Sequence, residues 1–177
     1  MMTQIAFIGL GNMGAKMVTN LLKANYDISG YDLNEEIIEN LLPKGLKKAN
    51  TLKDISEDAD VVITMLPNGN VVEEVYDDML DNLKPGTLLI DCSTIDVQTS
   101  IETQKAANNK NILTLDAPVS GGVIGADNGT LTFMVGGYNP VYQKVKYLFD
   151  IMGNKSILCG ENGAGQSAKI CNNLLLA

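Results

Sequence analysis

The chain has 177 residues, enough for one domain or for one domain and the start of another. Hydrophobic residues make up 45% and charged residues 19%, a balance that suits a packed core and excludes disorder. A formal net charge of -8 excludes a nucleic-acid partner, which needs a basic surface, and no Lys cluster is present to dock on anionic lipid.

The elements follow in chain order. A first strand is predicted from Gln4 to Leu10, and its early start leaves no room for a signal peptide. Met13, Met17, Val18, Leu21 and Leu22 then share one helical face. Ile28 to Tyr31 reads as a second strand, followed by a short helix through Ile37, Ile38 and Leu41 that ends before Pro43. Asp60 to Leu66 is a third strand, apolar without alternation as a strand buried on both faces should be. Val71, Val72, Val75, Tyr76 and Met79 repeat at helical spacing.

Thr87 to Asp91 and Ile112 to Ala117 are the fourth and fifth strands, with a polar helix between them. Thr130 to Val135 is a sixth, closed by Gly136-Gly137; Asn139-Pro140 then supplies a helix cap and a first-turn proline. Ser156 to Cys159 is the last strand, and the glycine-rich turn Gly160 to Gly165 opens a final helix. Strands alternating with helices in this way give an α/β fold, a Rossmann-type doubly wound, mainly parallel sheet with helices on both faces. No apolar run approaches the about 20 residues of a membrane span. Cys92, Cys159 and Cys171 are odd in number and far apart, which suggests neither a disulfide frame nor a zinc site and points to a reducing cytoplasm. Histidine is absent, so this chain has neither a histidine acid–base nor a His-ligated metal.

Gly9-Leu10-Gly11-Asn12-Met13-Gly14 fits G-x-G-x-x-G between a strand and a helix. The first glycine allows the tight turn, the second lets backbone approach a pyrophosphate, and the third lets helix pack on strand. Asp32, after the second strand, is placed to accept hydrogen bonds from the adenine ribose hydroxyls. A carboxylate there repels a 2′-phosphate and no arginine stands beside it, so NAD is expected in preference to NADP.

The final helix carries Gln166, Lys169 and Asn173 on one stripe of an otherwise small or apolar stretch, with Asn172 beside them. An ordinary exposed lysine would give the same pattern. Oxidising an alcohol with NAD needs a base, however, and a desolvated lysine can serve because burial lowers its pKa. Asp116-Ala117-Pro118-Val119-Ser120-Gly121-Gly122 leaves the carboxyl end of a strand, where ligands of open sheets bind. Its serine and glycines suit a carboxylate, or form a plain strand-to-helix turn.

Three blocks together, Gly9 to Gly14, Asp116 to Ala126 with Gly129-Thr130-Leu131 and Met134 to Gly137, and Gly163 to Asn173, resemble the 3-hydroxyisobutyrate dehydrogenase family across the whole chain. These β-hydroxyacid dehydrogenases include tartronate semialdehyde reductases and are related to 6-phosphogluconate dehydrogenase. The resemblance implies hydride transfer between NAD and a small 3-hydroxy acid, giving the semialdehyde. It assigns acid–base catalysis to Lys169 with help from Asn173, and the substrate carboxylate to Ser120, Gly121 and Gly122. It places Leu66 and Pro67 along the adenosine and Thr94 near the nicotinamide; Val71 stands where many relatives have a cofactor-contacting asparagine. Cys171-Asn172-Asn173, in place of a His-Asn pair, resembles hydroxyisobutyrate-type enzymes.

It further implies a nucleotide-binding domain over 1–162 and, from 163–177, the start of an interdomain helix leading to an all-helical domain that this chain lacks. That second domain would close the cleft and build a homo-oligomer, so the isolated chain is expected to bind NAD yet turn over poorly. The apolar run Leu174-Leu175-Leu176-Ala177, without a C-cap, agrees with a helix that continues. Two other readings are a non-catalytic dinucleotide sensor, which has no need of Lys169, and an imine reductase, a type that typically lacks the lysine.

Overall fold

The computed structural model describes residues 3–176. Its elements run β1 (Gln4–Ile8), α1 (Gly14–Lys23), β2 (Asp27–Tyr31), α2 (Glu35–Leu41), β3 (Lys47–Lys48), α3 (Leu52–Ser56), β4 (Val61–Thr64), α4 (Gly69–Met79), β5 (Leu88–Asp91), α5 (Val97–Asn109), β6 (Leu113–Asp116), β7 (Val119–Ser120), α6 (Gly122–Asn128), β8 (Leu131–Gly137), α7 (Asn139–Met152), β9 (Gly153–Gly160) and α8 (Ala164–Leu176). Among the described residues no helix is long and apolar enough to cross a membrane.

Strand alternation divides the interior into two cores. In β1, Ile5 and Phe7 enter one core and Ala6 and Ile8 the other. The same split separates Val61 and Ile63 from Val62 in β4, and Leu88 and Ile90 from Leu89 in β5. The first core is closed by Met17, Val18 and Leu21 of α1 and by Val145, Leu148 and Phe149 of α7. The second is closed by Ile55 of α3, Val72, Tyr76 and Met79 of α4, and Ala107 of α5. Continuously apolar strands therefore stand between two helical layers, as a parallel sheet requires.

Strands β3-β2-β1-β4-β5-β6 lie side by side and parallel; β8 then pairs antiparallel with β6 and β7, and parallel with β9. The chain steps outward from β1 to β3 and returns to the opposite side of β1 at β4. That reversal opens a crevice at the carboxyl ends of β1 and β4, the place where open α/β sheets take ligands.

Differences from the predicted elements have local causes. β1 stops at Ile8, not Leu10, because Gly9 turns the chain. β3 went unforeseen: two exposed lysines paired to Ser29 and Gly30 carry no apolar signal, so the expected third strand is the fourth. The helix α3 was also missed, although Thr51 caps it by accepting from the Asp54 N–H. Glycine-rich α6 has little propensity of its own. It is tied to α1 through Asn20 Nδ2 to the Ala126 carbonyl at 2.7 Å and Lys16 to Asp127 at 2.8 Å. The cap position of α7 is Tyr138; Asn139 is already helical and accepts from Gln143 Nε2. At the far end Leu174 and Leu175 are exposed, while Ala177 and the Leu176 side chain, on which part of the terminal-run expectation fell, lie outside the described residues.

Phe149 is fully buried, 4.8 Å from Phe133 and 6.0 Å from Tyr142 between ring centroids. Phe149→Ala should lower the unfolding free energy by about 3–5 kcal/mol in denaturant titration, and a loss below about 1 kcal/mol would contradict a closely packed layer.

Candidate active site

The crevice is a cleft of about 630 Å³ lined by the Gly9–Gly14 turn, the end of β2 with Asp32 and Leu33, and Met65, Leu66, Pro67 and Val71. Close approach fixes two glycines of the turn. A Cβ on Gly9 would stand 2.3 Å from the Met65 carbonyl oxygen, and one on Gly14 2.0 Å from that of Gly9. At Gly11 nothing lies within 4 Å of a Cβ, so backbone there faces open cleft. Helix α1 has no side-chain cap, which leaves its first N–H groups and its positive dipole end toward the cleft. These features fit a dinucleotide pyrophosphate.

Asp32 clamps the turn from beside it. Its carboxylate accepts from the Leu10 N–H at 2.6 Å and the Asn34 N–H at 2.8 Å. Leu10 itself is fully buried in the first core, so its side chain serves packing, not the cleft. Glu74 and Asp78 of α4 join Asp32 along the wall, and no lysine lines this cleft among the described residues.

The second half of the site is organised by Asp116. Buried at the end of β6, its carboxylate accepts from the Gly163 N–H at 2.8 Å, the Gln166 N–H at 2.9 Å and Gln104 Nε2 at 3.2 Å. The first turn of α8 is thereby capped from another element. Gln166, also fully buried, donates through Nε2 to the Ser93 carbonyl at 2.8 Å and accepts through Oε1 from the Ile95 N–H at 3.2 Å. Thr94 lies between those two groups and is exposed; it is outside the lining of the cleft.

Lys169, one turn along α8, is half-buried. It belongs to none of the ion pairs among the described residues, and desolvation lowers its pKa from the ordinary lysine value. Asn172 Nδ2 lies 3.4 Å from Ser120 Oγ, joining α8 to the end of β7. Gly121 and Gly122 have φ of 126° and 60°, a left-handed conformation that favours glycine, and both are exposed. Asn173 is exposed.

With this geometry in view, residues 4–160 match the family model described as the NAD binding domain of 6-phosphogluconate dehydrogenase. The chain belongs to that family. It is similar to an NAD-dependent L-serine dehydrogenase of Pseudomonas aeruginosa, 48% identical over 179 residues, covering 99% of this chain and 60% of the relative. A 3-hydroxyisobutyrate dehydrogenase of the same organism is 46% identical over 178 residues, with the same two coverages. The solved structure of Mycobacterium tuberculosis 3-hydroxyisobutyrate dehydrogenase with L-serine superposes with a TM-score of 0.97 at 45% identity, covering 99% of this chain and 60% of that one. This chain thus spans about 60% of the length of the family members it matches.

The structure brings Gly9, Gly11 to Gly14, Asp32, Leu66 and Pro67 to one cleft, and Ser120 within reach of α8. Sequence reasoning missed three residues. Asn172, which lies beside the predicted stripe and not on it, is the asparagine that touches Ser120. Asp91 stands at the predicted end of its strand and Asp116 opens the predicted Asp116–Gly122 turn, but neither position shows in the sequence which backbone groups its carboxylate holds. Asp91, buried at the end of β5, accepts from Thr64 Oγ1 at 2.8 Å and the Ser93 N–H at 3.0 Å, while Ser93 Oγ accepts from the Leu66 N–H.

Burial raises the Asp91 carboxyl to about 6; bonds from Ser93 and Thr64 oppose the rise and the Asp116 carboxylate adds to it. An acid with a folded pKa above its unfolded value of about 3.9 binds its proton more tightly when folded. Its contribution favours folding below about 4 and is lost as pH rises through about 6. Asp91→Asn should therefore gain stability relative to the parent between pH 4 and pH 7, by up to about 3 kcal/mol, in paired urea titrations. A difference that is flat with pH would mean that Asp91 does not titrate in this range.

Proposed function

We propose that this chain is the cofactor-binding and proton-transferring part of a dehydrogenase that interconverts a small 3-hydroxy acid and its semialdehyde. The observation that carries the reading is Lys169: desolvated, outside every ion pair among the described residues, and three residues from an asparagine in contact with Ser120. The relatives' names supply the substrate class. L-serine and 3-hydroxyisobutyrate share a hydroxymethyl group on the carbon that bears the carboxylate and differ only in an ammonium against a methyl. Glycerate, the reduced partner of tartronate semialdehyde, has a hydroxyl at that position.

In this reading Ser120 Oγ and the backbone of Gly121 and Gly122 hold the carboxylate, in a turn whose left-handed glycines leave room for it. Neutral Lys169 takes the hydroxyl proton as the alcohol is oxidised and returns it in reduction. Asn173, one turn past Lys169 and exposed, is free to orient the reacting oxygen, since Asn172 is committed to Ser120. A nicotinamide bound beside Thr94 supplies the hydride acceptor or donor. Gly9 to Gly14 hold the pyrophosphate, Asp32 the adenine ribose, and Leu66, Pro67 and Val71 the apolar face of the adenosine. Residues 163–177 begin the helix that would join this domain to the helical remainder of a longer enzyme, a homo-oligomer of the reducing cytoplasm.

Lys169→Ala should reduce oxidation of 3-hydroxyisobutyrate, L-serine or glycerate by about 10²–10⁴-fold in the complete enzyme. NAD affinity should stay within about threefold, because the lysine lies outside the cleft lining. The parent's oxidation rate should rise with pH through a midpoint below the ordinary lysine value, since the base acts when neutral. Retention of most of the rate by the variant would remove the lysine from the mechanism and leave a dinucleotide-binding domain.

NAD over NADP follows from charge. Asp32, Glu74 and Asp78 line the cleft, the chain has no arginine, and a 2′-phosphate would meet a wall whose charged residues are all acidic. NADP should bind at least about tenfold more weakly than NAD by calorimetry, or about 1.4 kcal/mol, with the gap narrowing as salt is raised. Equal affinities at low salt would overturn the preference.

A further inference from the structure

Gln166 faces two ways. Its backbone N–H is held by Asp116, and its side-chain amide pairs with the Ser93 carbonyl and the Ile95 N–H. Those two groups flank Thr94 in the chain, so the amide closes on that segment as a strand edge would. A primary amide is suited to this task, because it offers one donor and one acceptor side by side. Lys169 follows three residues later on the same helix face, so the part of α8 that carries the amine is bonded directly to the loop that carries Thr94.

Packing alone does not call for this residue. An apolar side chain of similar volume would fill the space, but it would leave the buried Ser93 carbonyl and Ile95 N–H without partners. What the two hydrogen bonds add is direction: they fix the height and rotation of α8 against the Ser93–Ile95 backbone. We propose that Gln166 is a positioning residue that joins Lys169 and the Thr94 loop in one rigid frame, so that a nicotinamide seated at Thr94 is felt at the lysine amine. The proposal rests on the reading of Lys169 as proton-transfer group and of Thr94 as neighbour of the nicotinamide.

The test is the pH profile of acylation at Lys169, followed by mass spectrometry of its peptide in the 177-residue chain, with and without saturating NAD+. In the parent, the positive nicotinamide ring should move the midpoint of the profile down by about half a unit or more. Gln166→Leu should bind NAD+ within about threefold of the parent and lose that displacement, while hydrogen exchange at the Ile95 amide accelerates. A full displacement in a folded Gln166→Leu chain would overturn the positioning role and leave the reading of Lys169 intact. No displacement in the parent would remove Lys169 from the cofactor and the proposal with it. Should Gln166→Leu fail to fold, Gln166→Glu reports instead: it keeps the acceptor for Ile95, loses the donor to Ser93 when ionised, and should show a reduced displacement. A displacement equal to the parent's in that variant would overturn the proposal as well.

Discussion

A carboxylate buried without a cation has to have its oxygens met by hydrogen-bond donors. Asp116 meets that condition with two backbone N–H groups from the start of α8 and the amide of Gln104. The bargain is mutual. The helix start has N–H groups with no intrahelical partner and a positive dipole end, and the acid satisfies both. Gln104 bears a local cost: with Nε2 given to Asp116 and to Ser100, its Oε1 is left buried and has no partner among the described residues. A flipped amide would point that oxygen at the carboxylate, which is worse. Every residue of interest on α8, from Gln166 to Asn173, takes its position from this junction.

The same device recurs along the carboxyl edge of the sheet. Asp91 and Asp116 are register partners on β5 and β6. The first holds Thr64 and Ser93, and through Ser93 the Leu66 amide; the second holds α8. Asp32, one residue past β2, holds the Leu10 and Asn34 amides. Three aspartates thus clamp backbone with oxygens, and none of them appears in an ion pair among the described residues. The lysines that do pair lie on the outside, where such contacts contribute little. In a chain of net charge -8, the acids of the ligand edge are met by amide and hydroxyl donors and not by cations.

How far the sequence discloses this depends on the range of the interaction. The strands β1, β4 and β5 and the helices α1, α4 and α7 were legible because apolar periodicity records burial directly, residue by residue. The glycine turn was legible because two of its positions admit no Cβ. By contrast, β3 and α6 owe their existence to partners elsewhere: a strand-edge pairing to Ser29 and Gly30, and ties from Asn20 and Lys16. The clamp between Asp116 and Gly163 spans 47 residues, and the bond from Gln166 to Ser93 spans 73, so neither leaves a local pattern. Lys169 and Asn173 were found as a helical stripe, yet the stripe gives no means of choosing between Asn172 and Asn173 for contact with Ser120. That choice follows from the rotation of α8, which the buried ends of Asp116 and Gln166 set.

The electrostatics of Lys169 complete the picture. Desolvation is the cause that lowers its pKa, in a chain whose net charge is strongly negative. Nearby carboxylates would act the other way, favouring the ammonium and spoiling the base. The acids of this edge are therefore best placed where they are, with Asp91 and Asp116 buried among amides and Asp32 clamped at the far side of the Gly9 turn. Lys169 is only half-buried, and Ile170 and Leu174 beside it on α8 are exposed. Because the depression arises from lost hydration, an apolar surface that closes over this helix would lower the amine's pKa further, in the direction a general base at neutral pH needs. Closure would then raise the competence of the lysine as well as exclude water, without any new contact to the amine itself.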